Sequence, residues 1–262
     1  MKGQKKKSQQ ILTRKKPEKG LVLNLGKTGG RGTSGRITVR HRGGGVKRKY
    51  RVVDFGQEKL DKKGKAIALE YDPNRTAYLA LIEYEDGDKR YILAANDLKI
   101  GDEIICAETA QIKNGNRIKL KNAPIGTPVF NIELEAGKGG RIVRSAGTSA
   151  KVLAQENGYT NLEMPSKEIR KVSWDCFASI GQVSHPEKRF EDIGKAGSKR
   201  LKGWRPTVRG TAMNPPDHPH GGGEGKHPTG LKYPKTPWGK PARGVRTRKK
   251  KWTDKLIIKR RK

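Results

Sequence analysis

The chain has 262 residues, room for one or two ordinary domains with tails, and its 59 Lys and Arg against 26 Asp and Glu leave a formal net charge of +33. The excess is local: residues 1–51 hold 17 basic and 1 acidic residue, residues 195–262 hold 21 and 3, and residues 52–194 hold 21 and 22. A near-neutral body with two cationic arms points to a polyanionic partner, and the lack of any run of about 18 apolar residues argues against a membrane-spanning helix.

Residues 1–35 read as a flexible basic arm. Lys5-Lys6-Lys7 and Arg14-Lys15-Lys16 flank short apolar pieces such as residues 21–25, and no apolar signal-peptide core follows the basic start. Gly26-Lys27-Thr28 invites a phosphate-loop reading. It fails, because Leu21 sits where the loop needs its first glycine and Gly29-Gly30-Arg31-Gly32 cannot open the helix that must follow. Residues 36–40 alternate, with Ile37 and Val39 apolar and Arg36, Thr38 and Arg40 polar, which predicts a half-buried strand with a basic face. Then Arg42, Lys47, Arg48 and Lys49 surround the triple glycine 43–45, a loop suited to laying amides and cations along a phosphate chain.

From residue 50 to about 120 the pattern is all strand: short apolar runs at 51–55, 65–71, 77–84, 90–94 and 103–107. Asp72-Pro73-Asn74, Glu85-Asp86-Gly87-Asp88, Ile100-Gly101-Asp102 and Asn114-Gly115-Asn116 supply the turns. Strands at this spacing predict a small closed or half-closed barrel, a common nucleic-acid-binding module. Residues 122–128, with Pro124, Gly126 and Pro128, read as a linker. A second small barrel is expected from runs at 129–134, 141–144, 151–155, 160–164, 169–173 and 178–183, with turns at Gly137 to Gly140, Asn157-Gly158 and Pro165-Ser166. Each barrel is expected to have a modest core of its own. Cys106 and Cys176 stand far apart and read as small buried hydrophobes in a reducing compartment.

After Ser184 the pattern collapses. Residues 195–262 contain 8 of the 14 prolines and 10 of the 33 glycines, so an extended basic segment is expected. Such a continuous interruption also speaks against a membrane-surface helix and for nucleic acid. Trp204, Trp238 and Trp252 stand among cations, placed either to stack on unpaired bases or to pack back on the barrels. Leu256-Ile257-Ile258 is the one apolar patch of the tail and is expected to anchor it.

Residues 211–225, T-A-M-N-P-P-D-H-P-H-G-G-G-E-G, leave no room for a regular element, because proline removes a donor and glycine a side chain. His218 and His220, with Asp217, Glu224 and His227 nearby, could be read as metal ligands or an acid/base pair. A structural zinc site wants four ligands, and acid/base work wants a nucleophile and a water-excluding pocket that the neighbouring sequence does not offer. Recognition remains: donors and acceptors for bases and 2′-hydroxyls, with Gly221, Gly222 and Gly223 allowing close approach.

Laid out in order from about residue 20, G-K-T-G-G-R from Gly26, G-R-I-T-V-R-H-R-G-G-G from Gly35, I-A-L-E-Y-D-P-N-R from Ile67, G-D-K-R-Y-I-L-A from Gly87, A-G-K-G-G from Ala136, G-K-A-G-S-K-R from Gly194, R-P-T-V-R-G-T-A-M-N-P from Arg205, D-H-P-H-G-G-G-E-G from Asp217 and T-P-W-G from Thr236 resemble the universal large-subunit ribosomal protein family two, in its bacterial or organellar form. The resemblance implies a mainly β fold of two small barrels, OB-type (oligonucleotide-binding) then SH3-like, with long basic irregular N- and C-terminal extensions. The expected boundaries are 1–35, 36–121, 122–194 and 195–262. It further implies a structural constituent of the large ribosomal subunit that binds rRNA directly, supports assembly and subunit association, and supports tRNA binding and the peptidyl transferase centre.

On that reading the candidate rRNA contacts are Arg31, Arg36, Arg40, His41, Arg42, Lys47, Arg48, Lys199, Arg200, Arg205, Arg209, Asn214, His220, Trp238, Arg243, Arg246 and Arg248. The loop implied to approach the peptidyl transferase centre is Asp217, His218, His220, Gly221, Gly222 and Gly223, supporting an RNA catalyst without forming the bond itself. Pro216 stands where the family usually has valine, and Val46 where a histidine often follows the triple glycine. Expected partners are large-subunit rRNA, small-subunit rRNA across the interface, tRNA indirectly and neighbouring ribosomal proteins; no cofactor, metal, enzymatic activity or membrane is expected. The expected location is the ribosome, cytoplasmic or in an organellar stroma or matrix. A general nucleic-acid condenser is the competing reading, and a histidine-based metallohydrolase the third.

Overall fold

The computed structural model describes residues 12–225 and 229–261. Lys5-Lys6-Lys7, the rest of the leader to residue 11, and His227 lie outside the described residues. By internal contacts the chain divides into two units, one of Met1–Leu25, Lys47–Asp192 and Thr253–Lys262, the other of Gly26–Val46 and Ile193–Trp252.

In the first unit, β1 (Val22–Asn24) pairs antiparallel with β2 (Lys49–Arg51). A four-stranded sheet follows, with β3 (Lys63–Glu70), β4 (Leu79–Tyr84), β5 (Lys89–Leu93) and β6 (Glu103–Ile105) in the order β5-β4-β3-β6. Alternation sets the faces at the start of β3, where Lys63 and Lys65 point outward and Gly64 and Ala66 inward. Strand β4 is central and its L-A-L-I run is buried throughout, as a strand covered on both faces must be. The turn Glu85-Asp86-Gly87-Asp88 closes with Tyr84 N–H on the Asp88 carbonyl, where the turn residues predict it. Parallel bridges Val53↔Tyr91 and Cys106↔Arg117 extend pairing past both ends of this sheet, giving the OB-type barrel.

A seven-stranded sheet contains β7 (Arg117–Lys119), β8 (Pro128–Phe130), β9 (Ala150–Glu156), β10 (Tyr159–Glu163), β11 (Ile169–Ser173), β12 (Phe177–Ile180) and β13 (Ile257–Lys259), ordered β13-β11-β10-β9-β8-β12-β7. Asn157 and Gly158, at φ of 48° and 83°, make the left-handed two-residue turn that matches strand twist between β9 and β10. The tail patch enters this sheet: Ile257 pairs with Arg170 and Lys259 with Ile169, which covers the β11 edge. The unit is mainly β and fits an OB-type barrel followed by an SH3-like one.

Four expectations are corrected. The barrels share one continuous core, from Leu79, Leu81 and Tyr91 through Ile118, Phe130 and Ile132 to Val152 and Leu162, because the Ala95↔Val183 bridge and the Asn96 N–H on the Gln182 carbonyl stitch the sheets together. Residues 122–128 are no free linker, since Ala123 is buried and Gly126 N–H bonds the Val152 carbonyl at 2.8 Å. No strand forms at 141–144, where only Ile142 bridges to Ile132 and Val143 takes a φ of 54°. None forms at 36–40 either: Ile37 and Val39 stay 60% and 50% exposed, and the backbone turns back so that Thr38 and Val39 N–H both reach the Gly30 carbonyl.

The second unit is irregular apart from a short helix α1 (Ala196–Leu201) and a single 3-10 turn (Gly210–Ala212), both inside a segment expected to be extended rather than compact. Among the described residues no helix is long and apolar enough to cross a membrane.

Candidate nucleic-acid interface

Segments 26–46 and 193–252 form one unit and are joined by backbone hydrogen bonds. Gly43 N–H reaches the Gly203 carbonyl, Val46 N–H the Leu201 carbonyl and Arg205 N–H the His41 carbonyl, each at 3.0 Å. The triple glycine serves this approach. A Cβ on Gly45 would lie 2.9 Å from both Gly203 Cα and the Leu201 carbonyl oxygen, closer than side chains pack. Arg42 bridges to Trp204 and lays its guanidinium 3.3 Å from that ring's centroid. Trp204 therefore faces a cation of its own unit, as a strong cation–π pair.

The histidine loop is a closed turn. Asp217 and His218 N–H both bond the Asn214 carbonyl, Gly221 N–H bonds the His218 carbonyl and Gly222 N–H the Met213 carbonyl. Both imidazoles face inward, each 8% exposed, with ring centroids 5.1 Å apart. His220 N–H donates to His218 Nδ1 at 3.1 Å, and Lys235 N–H donates to His220 Nε2 at 2.7 Å. An Nε2 that accepts leaves the ring proton on Nδ1, which then donates to the Thr229 carbonyl at 3.2 Å. The space beside Gly221 is taken by the loop itself, for a Cβ there would sit 2.3 Å from the Asn214 oxygen. Across residues 211–225 the exposed positions are Ala212, Asn214, Pro215, Pro216, Asp217, Pro219, Gly223, Glu224 and Gly225, while Gly221 and Gly222 are half-buried.

Of the other sequence-selected residues, Arg31, Arg36, Arg40, Lys199, Arg205, Arg209, Trp238, Arg243, Arg246 and Arg248 are exposed, while His41, Arg42 and Arg200 are half-buried. Arg200 donates to the Trp204 carbonyl at 2.9 Å. In the barrel unit Lys47 is exposed and Arg48 is half-buried, donating to the Pro73 carbonyl at 3.1 Å. Among the described residues no group of three or more His, Cys, Asp or Glu could hold a metal ion.

The sequence reading missed a cationic cluster in the barrel unit. Arg144 rests on the Phe55 ring at 4.4 Å and Arg75 approaches the same ring at 5.5 Å. Partial desolvation, then the like charges of Arg75 and Arg141, push the Arg144 guanidinium below its ordinary range, although the residue as a whole is exposed. Cations gathered against their own repulsion are what a polyanion stabilises. A regional charge count hides them, because acids elsewhere in residues 52–194 cancel them; Arg141 and Arg144 in a glycine-flanked stretch are the only local signal.

Family models match two parts of the chain. One, described as Ribosomal Proteins L2, RNA binding N-terminal domain, covers residues 18–106; the other, described as Ribosomal Proteins L2, C-terminal domain, covers residues 113–239.

Proposed function

The chain belongs to the ribosomal protein L2 family, and from that premise we propose that it binds large-subunit rRNA directly and early, supporting subunit assembly, association with the small subunit, tRNA placement and the peptidyl transferase centre. The family role is structural and RNA-binding, within the ribosome and beside other ribosomal proteins. In this reading the chain forms no peptide bond; it holds the RNA that does. Contacts to small-subunit rRNA and an indirect effect on tRNA belong to the same proposal, as does a cytoplasmic ribosome or its counterpart in an organellar stroma or matrix.

The observation that carries it is the second unit. Two cationic segments distant in sequence are tied backbone to backbone around the glycines at 43–45, and most of their described arginines and lysines are left exposed. Phosphate contacts from such side chains position a protein on RNA, and the Arg75–Arg141–Arg144 cluster adds a second cationic patch on the barrel unit. Asn214 and Asp217 form the exposed edge of the histidine loop, which we assign to the neighbourhood of the peptidyl transferase centre.

Chemical footprinting of large-subunit rRNA with and without the protein is the test. Discrete protected sites, and binding far weaker to a scrambled RNA of equal length, are expected. Equal affinity for both RNAs would favour a general condenser.

A further inference from the structure

We propose that Trp238 is a stacking platform for an unpaired RNA base and that His220 is the positioning residue that aims it, an inference that rests on the rRNA-binding reading above. Residues 234–242 form a tight hairpin. Lys235 bridges to Pro241, Ala242 N–H bonds the Pro234 carbonyl at 2.7 Å, and Thr236 N–H bonds the Lys240 carbonyl at 2.7 Å. The turn closes with Gly239 N–H on the Thr236 carbonyl at 2.9 Å, and the Thr236 hydroxyl oxygen accepts Lys240 N–H at 3.2 Å. Pro237 fixes φ at the second turn position, so the next residue is held rigidly at the tip. That residue is Trp238, 74% exposed.

Leaving an indole in water forgoes a large burial energy, which a surface built only for stability would not do. Trp204, at 39% exposure with Arg42 against its ring, shows how the same unit treats a tryptophan it uses internally. The company of Trp238 names the ligand class. Between Gly225 and Thr253 stand ten Lys and Arg and no Asp or Glu, a surface for phosphates rather than for a protein pocket. A base in a helix is already stacked on both faces; an unpaired one can lie on an indole while neighbouring cations take its phosphates.

His220 ties this hairpin to the histidine loop. Its Nε2 holds Lys235 N–H at 2.7 Å and its Nδ1 holds the Thr229 carbonyl at 3.2 Å, while its own N–H is fixed on His218. At 8% exposure the imidazole acts through what it positions.

The experiment measures full-length protein binding a large-subunit rRNA transcript over a salt series. Trp238→Ala should weaken binding about 5- to 150-fold, the effect of losing one stacked base, with the log–log salt slope unchanged because no phosphate contact is lost. Trp238→Phe should keep most of the affinity, and Lys240→Ala should lower the slope. His220→Ala should weaken binding, and Trp238→Ala added to it should weaken it no further. Unchanged affinity in Trp238→Ala, or a loss accompanied by a lower slope, overturns the stacking role; additive losses overturn the positioning role. A Trp238→Ala defect confined to assembled particles, with naked rRNA bound normally, makes the occupant a protein and also overturns it. Wild-type protein that does not prefer this RNA to a scrambled one sinks the broader function instead.

Discussion

Arg42 lies on Trp204 with its guanidinium carbon 3.3 Å from the ring centroid, and the same two residues bridge backbone to backbone. The pair joins the glycine loop to the chain after α1, so two segments that repel by charge are held by geometry. A half-desolvated cation–π contact contributes about 1–2 kcal/mol. Trp204→Ala should therefore raise amide exchange at Gly43, Val46 and Arg205, whose N–H groups cross between the segments. Exchange in β3, β4 and β5 should be unaffected, and a uniform increase there would show that the pair is not local.

Inside the barrel unit, Arg117 and Glu133 are both almost fully buried and 2.9 Å apart. Glu133 also accepts N–H from Gly137 and Phe177, and Arg117 donates to the Asn131 carbonyl at 2.7 Å. Removing one partner leaves a charge without its counter-ion in an apolar core. Arg117→Met should cost about 3–5 kcal/mol in urea unfolding, and adding Glu133→Gln should recover part of it. A loss below about 1 kcal/mol would mean that solvent reaches the pair.

Local chemistry made much of the barrel unit legible. β10 and β11 are stretches of strand length bounded by turn residues, and Asn157-Gly158 dictates its own turn. Residues 36–40 show the limit, since alternation predicts a strand only where a partner strand exists, and here Arg31↔Ile37 is the single bridge within the stretch. The single core was invisible for a related reason: it depends on Ala95 meeting Val183, a contact with no signal in either segment. His218 and His220 stood out by type and spacing, yet His220 is held by Thr229 and Lys235 and His218 lies against Gly210, all outside the motif.

Burial pushes the thiols of Cys106 and Cys176 up to about 12 from an ordinary 9.0, and the hydroxyls of Tyr84 and Tyr91 up to about 12 from 10.0. The folded state then keeps protons that the unfolded chain releases, so stability from these groups is complete below about pH 9 and falls as pH rises toward about 12. At mildly alkaline pH a maleimide should label neither cysteine in the native protein and both in denaturant. Labelling of native Cys106 at the denatured rate would contradict its buried position.

Arg141 and Arg144 allow the barrel's share of RNA binding to be separated from the tail's. Both are exposed, and with Arg75 they concentrate positive charge, offset by Asp72, which Arg75 and Arg51 share, and by Glu135, whose carboxyl the Arg141 charge helps hold below its ordinary range. If each takes one phosphate, Arg141→Ala with Arg144→Ala should lower the log–log salt slope by roughly 0.7–0.9 per contact. The residues lie outside the 226–252 stretch, so the decrease should add to that from Arg246→Ala, as independent sites do. A slope unchanged by the double substitution would assign the electrostatic contacts to the second unit alone and leave the barrel cluster to protein neighbours.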